Sequence, residues 1–288
     1  MLKRTLCLLV AISTAFCLTV AAFASEEGNT QVQAAVDTQT ENQTPAFFMN
    51  EQPVYGADLT VVNGVTYMSF SAFFSAAVPG CTVAWSNDRA AATGTTASGE
   101  AFTVTAKPGD CYIVANERYL YVANQVRTIN GLTMAPVVVM AQVFSGTAFW
   151  DAQGGFHVKL GSALLTAGSA YYNTAMVDIL SRLIFAEAGN QPMTGKIAVG
   201  NVIFNRVEDP RFPGTLYDVI YASNQFSVVN NGAINRTPNE SSVIAAKLVI
   251  EGAEVVENAL YFNRSGLNCW AARNRTYVTT IGAHDFYA

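Results

Sequence analysis

The sequence predicts an α+β protein in two folded parts. The first is a small domain built from a repeated β-hairpin and helix, and the second is mostly helical with a small β-sheet. Three observations carry this reading. An Asn-Gly hairpin signal, followed by a helical stretch and a Trp-bearing strand, occurs twice between residues 50 and 161. From residue 174 onward, apolar residues recur at three- and four-residue spacing through several segments. Only near the end do two short runs, Leu260 to Asn263 and Tyr277 to Ile281, read as strands. A chain of 288 residues is long enough for two cores.

The elements follow in order. Lys3 and Arg4 precede an uncharged run over residues 5 to 24, and Ala22-Phe23-Ala24 offers a small-x-small cleavage site. Residues 1–24 are therefore expected to be a cleaved signal peptide, with a retained membrane anchor as the alternative. Phe16 before Cys17 is too large for a lipoprotein signal. Residues 25–49 hold four acids and no Lys or Arg among many Gln, Thr, Asn and Ala, and are expected to be a flexible linker. In the first domain, residues 50–161, Val61 to Tyr67 surround Asn63-Gly64. A helix near Ser71 to Ala77 and a strand with Trp85 come next. Thr128 to Met134 then repeat the pattern around Asn130-Gly131, ending in a strand with Trp150. Alternation in Phe156 to Leu160 puts His157 and Lys159 on the solvent side of a strand.

Residues 162–173, rich in Ser, Ala and Gly, are expected to join the domains, and the second domain spans 174–288. Met176, Ile179, Leu180, Leu183 and Ile184 form a core-facing stripe that Glu187 continues. Gly189 reads as the C-cap and Pro192 as the opening of a second helix to Val207, where Gly195, Ala198 and Gly200 allow close approach of a neighbour. Thr215 with Asp218 opens a short helix. Thr237-Pro238-Asn239-Glu240 reads as a capping box for a helix running to Gly252.

Composition narrows the function. The formal charge is −5, and no Lys/Arg-rich run is present, which argues against a nucleic-acid partner. With a cleaved leader, no other run suggests a membrane span. Removing Cys7 and Cys17 with the leader leaves Cys81, Cys111 and Cys269. Cys81 and Cys111 could bridge neighbouring strands, but an odd number cannot all pair. His157 has no accompanying ligand cluster, and the second domain holds a single His, so no metal or other cofactor is called for.

The informative residue is Glu187. A carboxylate on the apolar face of a helix, near its C-terminus, is disfavoured as an anion by desolvation and by the helix dipole. Both raise its pKa, as a general acid requires; a structural ion pair is the bland alternative. One acid at a helix end beside a small sheet is also how lysozyme-like folds arrange their general acid. Phe185 to Pro192, Gly195 to Val199, Asn205-Arg206-Val207, Arg211-Phe212-Pro213, Gln225-Phe226-Ser227, Ala259 to Phe262 and Ile281 to Tyr287 together resemble the SleB-type cell-wall hydrolase (spore cortex-lytic) family across residues 174–288. The resemblance implies a secreted, cell-wall-associated enzyme that cleaves peptidoglycan glycan strands, with Glu187 at the catalytic glutamate. It also implies that a second glutamate of the spore enzymes' pattern is replaced by Gln191. The repeat in residues 50–161 resembles the copper amine oxidase N-terminal-like, or stalk, domain, which implies a spacer or wall-binding unit and no copper chemistry.

A lone acid suits lytic transglycosylation, because ordinary glycosidases need two carboxylates. Other acids read as caps (Asp218, Glu240) or as an exposed helical face (Glu251, Glu254). Gln191, Asn205, Gln225, Phe226, Tyr261 and His284 are the candidate substrate-binding residues, since amides bond sugar hydroxyls and aromatics stack on sugar faces. Arg206 is expected to pair with Asp209 or with a substrate carboxylate. The alternatives are an amidase or a Cys–His peptidase acting on the stem peptide, the latter through Cys269 and His284, or a non-catalytic wall-binding protein. Cys269 lies in a loop-like stretch with no clear helix after it.

Overall fold

The computed structural model describes residues 47–288, so the expected signal peptide and most of the expected linker lie outside the described residues. Strands β1 (Phe47–Met49) and β2 (Gln52–Val54) lead into the first Asn-Gly hairpin, β3 (Leu59–Val62) and β4 (Val65–Ser69). Asn63 and Gly64 take φ values of 51° and 76°, the left-handed pair that a two-residue turn between twisted strands demands. Helix α1 (Phe70–Ala77) is capped by Ser69, and β5 (Thr82–Ser86) carries Trp85. A meander follows: β6 (Arg89–Thr95), β7 (Ala101–Ala106), β8 (Tyr112–Ala115) and β9 (Arg118–Tyr121). The second copy is β10 (Arg127–Ile129), β11 (Leu132–Pro136), α2 (Val137–Gln142) and β12 (Thr147–Trp150), closed by β13 (Phe156–Lys159). Asn130 and Gly131 repeat the turn at 50° and 77°.

The two hairpins meet. β11 pairs with β4 in the order β10-β11-β4-β3, with Met134 opposite Ser69. Phe70, Phe73, Phe74, Phe102 and Phe144 pack together beneath them. His157 departs from expectation. Its cross-strand neighbours are Phe48 and Phe149, so the ring is stacked between them at 4.6 and 5.3 Å. Its Nε2 also meets Asp151 at 2.8 Å. Register, which alternation does not reveal, covers the ring; Lys159 stays exposed.

The chain continues through α3 (Gly168–Tyr171), α4 (Thr174–Ala188), α5 (Met193–Glu208), α6 (Leu216–Tyr221), α7 (Ser227–Asn230), a 3₁₀ turn (Ala233–Asn235) and α8 (Glu240–Ile250). β14 (Tyr261–Arg264), α9 (Trp270–Asn274), β15 (Tyr277–Ile281) and β16 (His284–Tyr287) complete it. α4 packs on α5 and α8 around Leu180, Leu183, Ile184, Ile197, Val202 and Leu248. A Cβ on Gly200 would lie 2.7 Å from a Val249 methyl, so the glycine sets the α5–α8 approach. Met176 lies on the rim of the stripe and is exposed. Asn239, not Thr237, caps α8, accepting from Ser242 N at 3.0 Å; Asn is the stronger cap, and Pro238 lies before it. Gly189 is the C-cap of α4 as expected, right-handed at φ −57° and donating its N–H to Phe185 O at 3.0 Å. β16 was not anticipated, yet it is the central strand of the sheet β14-β16-β15.

The two parts share more than a tether. Cys111, Tyr112, Tyr119 and Tyr121 of the first part join the core of the second. Arg118 donates from Nε and Nη2 to the two carboxylate oxygens of Glu251, both side chains nearly fully buried. Tyr172 O–H donates to Glu251 Oε1 at 2.6 Å, and its oxygen accepts from Tyr119 N at 3.0 Å. Glu251 is therefore not on an exposed face: its partner comes from a strand 133 residues away. Cys81, Cys111 and Cys269 are all free, Cys81 and Cys111 in different cores. Among the described residues no helix is long and apolar enough to cross a membrane. Removing one member of a buried ion pair strands the other. Glu251→Gln is therefore expected to cost about 3–5 kcal/mol, read from urea denaturation of the full chain, with Arg118→Met added to it recovering part of the loss.

Candidate active site

Glu187 lies on the last turn of α4, which begins where Asn173 Oδ1 accepts from Met176 N at 3.0 Å. Its side chain is half-buried and makes no hydrogen bond or ion pair with any described residue. Burial raises its pKa above the ordinary 4.5, so the expected direction of the shift is present.

The turn after α4 is held firmly. Lys196, itself buried and with its pKa lowered by burial, donates Nζ to the Gln191 carbonyl. Gln191 Oε1 accepts from Ala283 N at 2.8 Å, and its Nε2 donates to Asn190 Oδ1 at 2.9 Å. Gly282, with φ +59°, occupies the β15–β16 turn, where an added Cβ would lie 2.4 Å from Gln191 Oε1. Gln191 thus joins the end of the Glu187 helix to the sheet. His284 follows that turn. Its ring stands edge-on to Phe262 at 5.4 Å, its Nδ1 is buried without a hydrogen-bond partner, and burial lowers its pKa.

A second group forms around Arg206. This buried guanidinium donates Nε to Leu260 O at 2.7 Å and Nη1 to Gln225 Oε1 at 3.2 Å. Phe212, Phe226 and Tyr261 lie around it, with ring centroids 5.0 to 5.4 Å from Cζ. Burial lowers its pKa to about 10. The expected Asp209 partner is taken by Arg211, with Nη2 to Oδ2 at 2.7 Å. Gln225, Phe226 and Tyr261 are therefore brought together by one cation. Asn205 is not with them: its Nδ2 donates to Ala259 O at 3.0 Å and Val256 O at 3.3 Å. Asn201, one turn earlier and not singled out from sequence, does the same for Ala253 O at 2.7 Å. The i, i+4 spacing of the two Asn residues is the signal that could have found this loop clamp.

Tyr261 and His284 face opposite ways. In the sheet register Phe262 opposes Phe286 and Tyr261 opposes Tyr287, so His284, Phe262 and Phe286 share one face and Tyr261 and Tyr287 the other. Cys269 does cap a helix, α9, with Sγ accepting from Ala272 N at 3.4 Å. No Cys–His pair is formed. A cavity of about 1080 Å³, lined by Thr103, Asn116, Tyr172 and Lys247 among others, does not include Glu187. Among the described residues, no three or more His, Cys, Asp and Glu side chains are grouped to hold a metal ion.

Two segments of the chain match known family models. Residues 190–287 match the Cell Wall Hydrolase family, beginning three residues after Glu187, and residues 48–158 match the copper amine oxidase N-terminal domain. Over these segments the chain is similar to a cell-wall hydrolase domain carried behind a copper amine oxidase N-terminal domain. A spore cortex-lytic enzyme of Bacillus cereus is 33% identical over 116 residues, covering 40% of this chain and 45% of that one. One from Bacillus subtilis is 32% identical over 111 residues, covering 38% and 36%. The chain thus spans less than half the length of these curated relatives. The solved catalytic domain of the germination-specific lytic transglycosylase SleB from Bacillus anthracis is 30% identical, covering 41% of this chain and 98% of that one, with a TM-score of 0.39.

An acid with a raised folded pKa favours the protonated fold. Stability is full below the unfolded pKa, near 4.5, and declines as pH rises through the folded value. Glu187→Gln is therefore expected to be more stable than the parent at neutral pH and equal to it in acid, as thermal unfolding across pH will read.

Proposed function

We propose that this chain is an exported enzyme that cuts peptidoglycan glycan strands between N-acetylmuramic acid and N-acetylglucosamine, working as a lytic transglycosylase. Glu187 serves first as acid and then as base. The observation that carries this reading is a half-buried carboxyl with a raised pKa and no partner among the described residues. Protonated Glu187 gives its proton to the glycosidic oxygen as the bond to C1 breaks. The resulting carboxylate then takes the proton of the muramic acid C6 hydroxyl while that oxygen closes onto C1. The 1,6-anhydro ring forms, Glu187 is protonated again, and no water is consumed. A hydrolytic glycosidase would place a second carboxylate about 5 to 9.5 Å away; Gln191 supplies none.

In this proposal residues 1–24 direct export and 25–46 form a linker, since Phe47–Met49 are strand β1 of the first domain. Residues 47–161 attach the protein to the wall, 162–173 join, and 174–288 carry catalysis. Gln225 and Tyr261 form a sugar-binding wall over Arg206, with Phe226 buried in the core behind them and not free to stack on a sugar, while Gln191, Asn205 and His284 hold its shape. The names of the relatives support testing spore cortex as a substrate beside vegetative wall.

The test compares the full chain with its Glu187→Gln variant on purified vegetative peptidoglycan and on spore cortex, with mass spectrometry of soluble products. Anhydromuramoyl products are expected from the parent, with release falling by about 10²- to 10⁴-fold in the variant. Products bearing only reducing-end muramic acid would rule out transglycosylation, and undiminished release by the variant would remove Glu187 from the mechanism.

A further inference from the structure

The outer face of the three-stranded sheet carries a feature that the acid chemistry does not use. Trp270 and Tyr277 are half exposed there, and Trp270 meets the Tyr261 ring edge-on at 5.6 Å. Arg275 lies over both rings, with Cζ 4.4 Å from the Trp270 centroid and 5.2 Å from that of Tyr261. Its Nε is buried with no hydrogen-bond partner, and Nη1 reaches only the neighbouring Asn274 carbonyl at 3.0 Å. Arg206 lies over the same Tyr261 ring. Neither guanidinium forms an ion pair with a described residue, whereas Arg118, Arg182 and Arg211 all have carboxylate partners. Arg264 and Arg273 are exposed on the same terminal segment, whose single acid, Asp285, is engaged by Thr280 and the Gly266 N–H. In a chain of net charge −5, Arg275 is thus left without a carboxylate on the Tyr261 face, while Arg264 lies across the sheet on the His284 face.

We infer that Tyr261, Trp270 and Arg275 form a subsite for a carboxylate borne on a peptide-substituted muramic acid residue. Arg275 pairs with the anion, the two rings stack on the adjoining sugar or alanyl group, and Arg206 adds its field from behind. A guanidinium preorganised on aromatic rings presents a fork that matches a carboxylate. The choice of ligand rests on the peptidoglycan reading, and it gives the enzyme a preference for peptide-bearing units over neutral ones.

The experiment uses the full chain carrying Glu187→Gln, so that binding is read without cleavage. The probes are N-acetylglucosaminyl-N-acetylmuramoyl-L-Ala-D-Glu and the same molecule with both carboxylates converted to amides. Calorimetry, with intrinsic fluorescence of a chain whose Trp85 and Trp150 are replaced by Phe as a second readout, is expected to show the acid form binding at least about tenfold more tightly. Arg275→Gln should erase that preference, and Arg275→Lys should keep part of it. Equal affinity for the two probes, no binding of either, or a preference that survives Arg275→Gln would overturn the subsite. A failure of the catalytic reading would appear separately, in the product analysis of the active chain.

Discussion

A buried guanidinium with no carboxylate to answer it holds this domain's chemistry in place. Taking an unpaired cation out of water costs several kcal/mol in a protein interior, so Arg206 persists only because its surroundings compensate. Two carbonyl-type oxygens accept from it, those of Leu260 and the Gln225 side chain, and three aromatic rings lie within reach of its charge. Those contacts come from different stretches of chain. Arg206 therefore fixes α5, the first residues of β14 and the Gln225 loop relative to one another. Without that fixed junction, Tyr261 would have no defined relation to Phe226.

The carboxyl of Glu187 depends on a second set of constraints, all of them polar contacts to backbone. Lys196 and Gln191 tie the turn after α4 to the β15–β16 hairpin, while Asn201 and Asn205 hold the loop that feeds β14. Each of these side chains satisfies a backbone donor or acceptor. The helix carrying the acid is thereby locked to the sheet, and the acid itself is left free of partners. Half burial without a counter-charge is what raises its pKa.

Much of the fold was legible in local sequence. The two Asn-Gly turns, the helices after them, the α4 stripe and the Thr215 cap all obey rules that act over four residues or fewer. Glu187 was legible for the same reason: its place at the end of an apolar stripe is a matter of helical period. The misreadings involve partners remote in sequence. Glu251 looked exposed because its period ignores Arg118. His157 looked solvated because alternation says nothing of Phe48 and Phe149. β16 was missed although it is the strand that joins the other two, since a central strand is defined by its neighbours.

The sequence by itself thus determined the class of each element, the repeat, and the acid at the end of α4, because period, turn chemistry and capping are written within a few residues. Only the tertiary structure decided which charges were answered. Asp209 was expected to serve Arg206, yet it pairs with Arg211 two residues along, and Arg206 turns inward to oxygens from other elements. A side chain's partner is chosen by which surfaces pack together and which polar groups they bury. No spacing along one segment contains that information.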